Sequence, residues 1–201
     1  MLGNPMMKRR TGSMGTVGLM LLSAVAVAAD PTSEPATYTG QGLVLQAQAR
    51  TPDQTTAFYL GRGFPAAMLK EFNQACFITV SMRHTRPDVV WLEPARWRLR
   101  DAGGRSIERR DRHYWNRIWK AIDAPHASRA TFGWTQLPES RDLQPDEPVG
   151  GNMTIVPPMG PFSLEFRFAT GKNKTGPEIK GRIEGLVCQA QAPETVTGNA
   201  P

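Results

Sequence analysis

Phe162, Leu164, Phe166 and Phe168 alternate with Ser163, Glu165 and Arg167. A period of two puts four large apolar side chains on one face of an extended chain; on a helix they would scatter around the axis. A second stretch repeats the pattern: Cys76, Ile78, Val80 and Met82 share one face, and Thr79, Ser81 and Arg83 the other. Val89 to Arg100 is interrupted at Pro94, then sends Trp97 and Leu99 one way and Arg96, Arg98 and Arg100 the other. Arg86-Pro87-Asp88 and Gly103-Gly104 read as turns. Segments 41–49, 130–136, 151–156 and 179–189 bring the expected total to about seven strands. Half-buried antiparallel strands in that number predict a mostly-β, two-sheet sandwich.

Two helical insertions interrupt the strands. The first covers 53–75 in two pieces, Asp53 to Tyr59 and Pro65 to Ala75, with Gly61 and Gly63 between them and Pro65 placed for a first helical turn. The second covers 110–122, where Tyr114, Trp115, Ile118, Trp119 and Ile122 recur every three or four residues. A short echo links Gly42–Ala49 (GLVLQAQA) with Gly185–Ala192 (GLVCQAQA). Eight residues are too few for a repeat unit, and a first and a last strand in similar environments explain them. No linker divides the chain, so 39–192 is expected to form one domain. A Pro/Ser/Thr/Glu-rich lead-in (30–38) precedes it and a flexible tail (193–201) follows.

Residues 1–29 have the layout of a secretory signal peptide. Lys8, Arg9 and Arg10 precede an apolar run from Met14 to about Ala29, which ends in small residues that permit cleavage after Ala28 or after Ala29. The mature chain is therefore expected in the periplasm or outside the cell, with no membrane span once the leader is cut. Cleavage also changes the charge argument. The whole chain carries 24 Lys+Arg against 18 Asp+Glu, a net charge of +6, but the leader holds three of those bases and none of the acids, so only +3 remains. That balance and the expected export make nucleic acid the poorest candidate partner.

Leu143-Gln-Pro-Asp-Glu-Pro-Val-Gly-Gly-Asn-Met-Thr-Ile155, a Pro-rich turn, and Phe162 to Phe168 together resemble a pattern seen in bacterial secreted immunoglobulin-like domains, in which an L-x-P-x-E turn leads into a Gly-containing strand and then an alternating one. The resemblance spans about 26 residues. It implies an immunoglobulin-like sandwich and no particular activity; the aromatic helix at 110–122 lies outside the pattern.

Cys76 and Cys188, the two cysteines of the chain, both fall on expected strands. In an oxidising compartment the expectation is a disulfide across 112 sequence positions. Loop-closure entropy alone gives such a bond roughly 4–5 kcal/mol. The spacing is not C-x-x-C, which argues against redox chemistry. His84, His113 and His126 form none of the usual ligand spacings, and two of them sit among arginines, so neither a metal nor another cofactor is expected. No G-x-S-x-G occurs in the mature chain, and the neighbouring carboxylates lie beside turns or arginines.

The stretch 91–120 stands apart, with nine basic residues against four acidic ones and four of the five tryptophans. The tryptophans read as core. Arg96, Arg98 and Arg100 on one strand face, with Arg109, Arg112 and Arg117 following, read as a surface for anionic groups, because a guanidinium fork matches carboxylate and phosphate geometry. Three arginines in a row repel one another unless acids balance them. The expected function is a non-catalytic binding or accessory role in the cell envelope, with an acidic protein, a glycan or a lipid headgroup as partner. The alternatives are a small periplasmic enzyme whose site is assembled from distant strands, and a structural subunit of a larger envelope complex.

Overall fold

The computed structural model describes residues 34–189. The expected signal peptide (1–29) and the expected tail (193–201) therefore lie outside the described residues. Ten strands and four helices run in the order β1 (Ala36–Gly40), β2 (Leu43–Ala49), α1 (Pro52–Leu60), α2 (Ala66–Phe72), β3 (Cys76–His84), β4 (Val90–Leu92), β5 (Arg98–Asp101), β6 (Ser106–Ile107), α3 (Arg112–Ala121), α4 (His126–Thr135), β7 (Arg141–Leu143), β8 (Val149–Ile155), β9 (Phe162–Thr170) and β10 (Ile179–Leu186). The fold is mostly β, with two antiparallel sheets and short helices, and it has more strands than the seven expected because several are only two or three residues long. No helix among the described residues is long and apolar enough to cross a membrane.

The four-stranded sheet has the order β1-β2-β3-β8. The six-stranded sheet is organised around β9, which pairs with β10 along one edge and with β4 and β5 in tandem along the other; β7 and β6 flank these outermost. The expected break at Pro94 is the hinge of that tandem. Trp91 pairs with Ala169 and Arg98 with Glu165, so three extra residues are accommodated between β4 and β5, where Pro94–Arg96 form a single 3-10 turn.

Both alternating strands bury the face that their pattern predicts. Leu45, Ile78, Val80, Met153 and Ile155 from one sheet meet Leu92, Trp97, Leu99, Leu164, Phe166, Phe168 and Ile183 from the other in a continuous core. Each such burial contributes about 1.5–3 kcal/mol before chain entropy is counted against it. Cys76, at the start of β3, is disulfide-bonded to Cys188, just past β10, with their Cα atoms 5.8 Å apart, so the bond joins the two sheets.

Three expectations need correction. Segment 130–136 is not a strand: residues 130–135 belong to α4, and Gln136 forms an isolated bridge with Asn152. Ala130, Phe132 and Trp134 alternate, but on the helix Phe132 is buried against Phe72, Trp115 and Trp119 of the other helices while Trp134 is exposed. The lead-in gives way to β1 at Ala36, within the stretch assigned to 30–38. The echo is not a pair of strands: Leu43–Ala49 form β2, whereas only Gly185 and Leu186 of the second segment lie in a strand, β10, and 190–192 lie outside the described residues; the matching glycines, Gly42 and Gly185, share a left-handed backbone (φ +74° and +73°).

Breaking the disulfide, by Cys76→Ala with Cys188→Ala or by reduction, is expected to lower unfolding stability by about 2–5 kcal/mol while leaving the secondary structure in place. Guanidinium unfolding followed by circular dichroism, with and without reductant, checks both halves of that statement.

Candidate functional site

The helices form a third layer on the outer side of the four-stranded sheet, and one outward-facing residue of β3 anchors it. Phe77, next to the inward-facing Cys76 and Ile78, packs into a second apolar cluster with Tyr59 and Phe64, Met68 and Phe72 of α2, Trp115 and Trp119 of α3, and Phe132 of α4. Phe72 touches the rings of Tyr59, Phe64, Phe77, Trp115, Trp119 and Phe132. Local chemistry starts the helices where the layer needs them. Thr51 and Gln54 form a reciprocal capping box at α1, and Asp111 Oδ1 accepts from Tyr114 N at 2.8 Å to cap α3.

Two adjoining cavities open in this layer. The first, of about 230 Å³, is lined by Arg109, Arg110, Arg112 and Arg129, with Trp115, Trp119, Gln136 and the acids Asp111 and Glu139. The second is a more open cleft of about 530 Å³, lined by Arg50, Gln54, Phe58, Tyr59, Thr79, Thr135, Gly150 and Gly151. Trp134 and Asn152 line both. The segment 136–137 crosses β8 between them, and Leu137 N donates to Asn152 O at 2.9 Å. A Cβ on Gly151 would lie 2.5 Å from Leu137 N, so this crossing requires glycine there.

A hydrogen-bonded chain runs through the cleft. Arg50 Nε donates to Thr79 Oγ1 (2.8 Å), which donates to Asn152 Oδ1 (2.9 Å). Asn152 Nδ2 (3.5 Å) and Gln136 Nε2 (3.2 Å) both point at Tyr59 Oη. Thr135 Oγ1 gives its proton to Phe132 O, so at 2.7 Å it accepts the Tyr59 hydroxyl. Burial pushes the Tyr59 phenol above its ordinary pKa, which keeps that proton in place.

The charge balance is uneven. The first cavity has four arginines and two carboxylates, and both carboxylates are engaged: Asp111 as the α3 cap and Glu139 in an ion pair with Arg109. The guanidiniums of Arg110, Arg112 and Arg129 form no ion pair among the described residues, although the Arg112 backbone N donates to Glu139 Oε1 at 3.3 Å. The Arg110 guanidinium lies 4.9 Å from the Tyr114 ring centre, and its Nε and Nη1 have no acceptor. The cleft contains Arg50 and no acid.

The six arginines singled out by sequence fall into two groups. Arg96, Arg98 and Arg100 lie at the six-stranded sheet, where acids balance them: Arg96 pairs with Glu178 and Glu93, Arg100 with Glu165, and Arg98 is in register with Glu165. Arg96 sits in the 3-10 turn, not on the strand with the other two. Arg109 and Arg112 line the first cavity, while Arg117 lies on α3 with its guanidinium 5.9 Å from the Tyr114 ring. The sequence reading missed Arg50, Arg110, Arg129 and Trp134 as site residues. The available signal for the last two was the helical spacing after Pro125. Trp97, Trp115 and Trp119 are buried as expected, whereas Trp134 is 85% exposed.

His84 is buried with Nε2 3.1 Å from Leu143 O, and His113 and His126 are exposed and apart from it in the fold. Among the described residues no three His, Cys, Asp or Glu side chains gather as metal ligands.

No family model matches the chain, and no curated protein matches it. Among solved structures it is similar to the yjhA protein of Bacillus subtilis, with 12% identity over 65% of this chain and 76% of that one, at a TM-score of 0.37. It is also similar to a "putative lipoprotein" (ycdA) of Bacillus subtilis, with 12% identity over 76% of this chain and 39% of that one, at a TM-score of 0.41. Likeness at this level carries no argument about the site.

Tyr59→Phe is expected to cost about 1–2 kcal/mol by removing the acceptor for Asn152 and Gln136, measurable by chemical unfolding. Acid is expected to destabilise the fold. The carboxyl of Glu93 is held below its ordinary range by Lys174, that of Asp88 by Arg86, and that of Glu178 by Lys180. A carboxyl depressed in the folded state adds stability above its unfolded pKa and loses it as pH falls through the folded value. Unfolding midpoints should therefore be flat at neutral pH and decline below about pH 4.

Proposed function

We propose that the chain is an exported, non-catalytic binding or accessory protein of the cell envelope, built on an immunoglobulin-like sandwich, and that the cavity between α3, α4 and β8 receives an anionic group of its partner. The observation that carries the reading is that Arg110, Arg112 and Arg129 line one concave site and that none of their guanidiniums is ion-paired with a carboxylate among the described residues. Positive charge concentrated in a cavity with apolar walls attracts a carboxylate or phosphate more strongly than the same charge spread over a flat surface.

The two arginine groups do not support this equally. At the six-stranded sheet, Glu93, Glu165 and Glu178 already pair with Arg96 and Arg100, so a ligand at those two must displace existing pairs. Around α3 and α4 no such displacement is needed. A non-catalytic role fits the commitment of Asp111 to capping and of Glu139 to Arg109, which leaves neither as a free acid or base. Export is supported by the leader pattern in the sequence and by the disulfide, a bond that persists in oxidising compartments.

The test is binding of poly-glutamate, oligogalacturonate and phosphatidylglycerol vesicles by the mature, oxidised chain at low and high salt. At least one is expected to bind at low salt and to be lost at high salt. Arg112→Ala with Arg129→Ala, two exposed positions, should weaken that binding about tenfold or more, by removing two charge-assisted contacts. Arg96→Ala, Arg98→Ala and Arg100→Ala together should change it less than about threefold, since exposed pairs contribute little. The reading fails if no anion binds or if the double variant binds as well as the parent chain.

A further inference from the structure

Trp134 is the most exposed tryptophan of the described fold, at 85%, and it lines both the arginine cavity and the cleft beside it. A large aromatic side chain left in water at the junction of two cavities is costly unless something covers it. Phe58, at 39% exposure, lines the same cleft, and the Arg62 guanidinium lies 3.5 Å from its ring centre. Polar side chains line the cleft beside these rings: Thr79 and Asn152 belong to the hydrogen-bonded chain, while Gln54 uses only Oε1, in the α1 cap, which leaves its Nε2 to donate to a ligand hydroxyl. Neither a purely apolar helix nor a simple ion suits that mixture.

We infer that the ligand is an acidic oligosaccharide: a sugar ring stacks on Trp134 over the floor of the cleft, and a neighbouring acidic sugar places its carboxylate among Arg110, Arg112 and Arg129. This rests on the proposed anion-binding cavity and adds the chemistry of what carries the anion. Pyranose rings present apolar C–H faces to an aromatic plane while their rim hydroxyls seek amide and hydroxyl partners; Trp134 offers the plane and the Gln54 amide a donor. Charge points the same way. The two cavities together hold Arg50, Arg109, Arg110, Arg112 and Arg129 against only Asp111 and Glu139. A neutral glycan leaves that excess uncompensated, and an acidic peptide leaves Trp134 without a planar partner.

The experiment compares oligogalacturonate and hyaluronan hexamers, maltohexaose, poly-glutamate, phosphatidylglycerol vesicles and a single-stranded oligonucleotide. Each is titrated by calorimetry against the parent chain, Trp134→Ala and the Arg112→Ala/Arg129→Ala double variant. Trp134 is exposed, so its replacement should leave the circular dichroism unchanged. At least one uronate hexamer is expected to bind at least tenfold more tightly than poly-glutamate of equal charge, and than maltohexaose. Trp134→Ala should weaken uronate binding tenfold or more yet change poly-glutamate binding less than twofold. The arginine variant should weaken both. Uronate binding that is unmoved by Trp134→Ala, or no tighter than poly-glutamate, overturns the glycan inference and leaves the anion cavity standing. Preference for vesicles or the oligonucleotide also overturns it. Loss of every anionic interaction, or indifference to the arginine variant, sinks both readings together.

Discussion

Phe72 lies at the centre of the helical layer, touching six other aromatic rings drawn from α1, the loop after it, β3, α3 and α4. Few of the helices could persist alone: they are seven to ten residues long, below the length at which isolated helices are stable in water. Their stability comes from docking, and the aromatic cluster is what they dock through. The two cavities lie beside that cluster, with Tyr59, Trp115 and Trp119 belonging to both cluster and cavity walls. The positions of Trp134 and of the cavity arginines therefore depend on the same ring contacts.

β3 makes this possible by having two apolar faces over its first residues. Cys76, Ile78, Val80 and Met82 supply the sandwich core, and Phe77 alone turns outward at the end that the helices cover. Further along, the outward positions become Thr79, Ser81 and Arg83, polar residues that cannot anchor a helix, so the layer stops there. The cleft opens at that boundary, with Thr79 on its floor. Gly150 and Gly151 continue the floor on β8, where the absence of a side chain lets segment 136–137 lie directly on the strand.

Electrostatics divides the molecule into two surfaces. The outer face of the six-stranded sheet carries alternating signs that pair across strands and turns, including Arg100 with Glu165 and Arg182 with Glu184. The helical side carries arginines whose nearby acids are already engaged. Net charge cannot distinguish the two, because it sums over both. What matters for recognition is which guanidiniums the fold leaves without a carboxylate and whether they share one concavity.

The sequence by itself determined the features that depend on neighbours along the chain. The two-residue periods of 76–84 and 162–168 set which side chains enter the core, Pro94 set the break between β4 and β5, and the three-and-four spacing of Trp115 and Trp119 set the buried face of α3. Two cysteines left one intramolecular pairing to make, and the fold makes it, with Cys76 on β3 and Cys188 just past the end of β10. Segment 126–135 was ambiguous because alanine and threonine fit either period; packing of Phe132 against Phe72, Trp115 and Trp119 selects the helix. The site was illegible for a related reason. Arg50, Arg112, Arg129, Trp134 and Asn152 come from separate parts of the chain, and no local spacing encodes their meeting. Only the tertiary structure decided that, because the distances between them are set by how the aromatic layer seats four helices on the sheet, a sum of many nonlocal contacts that no short window of sequence contains.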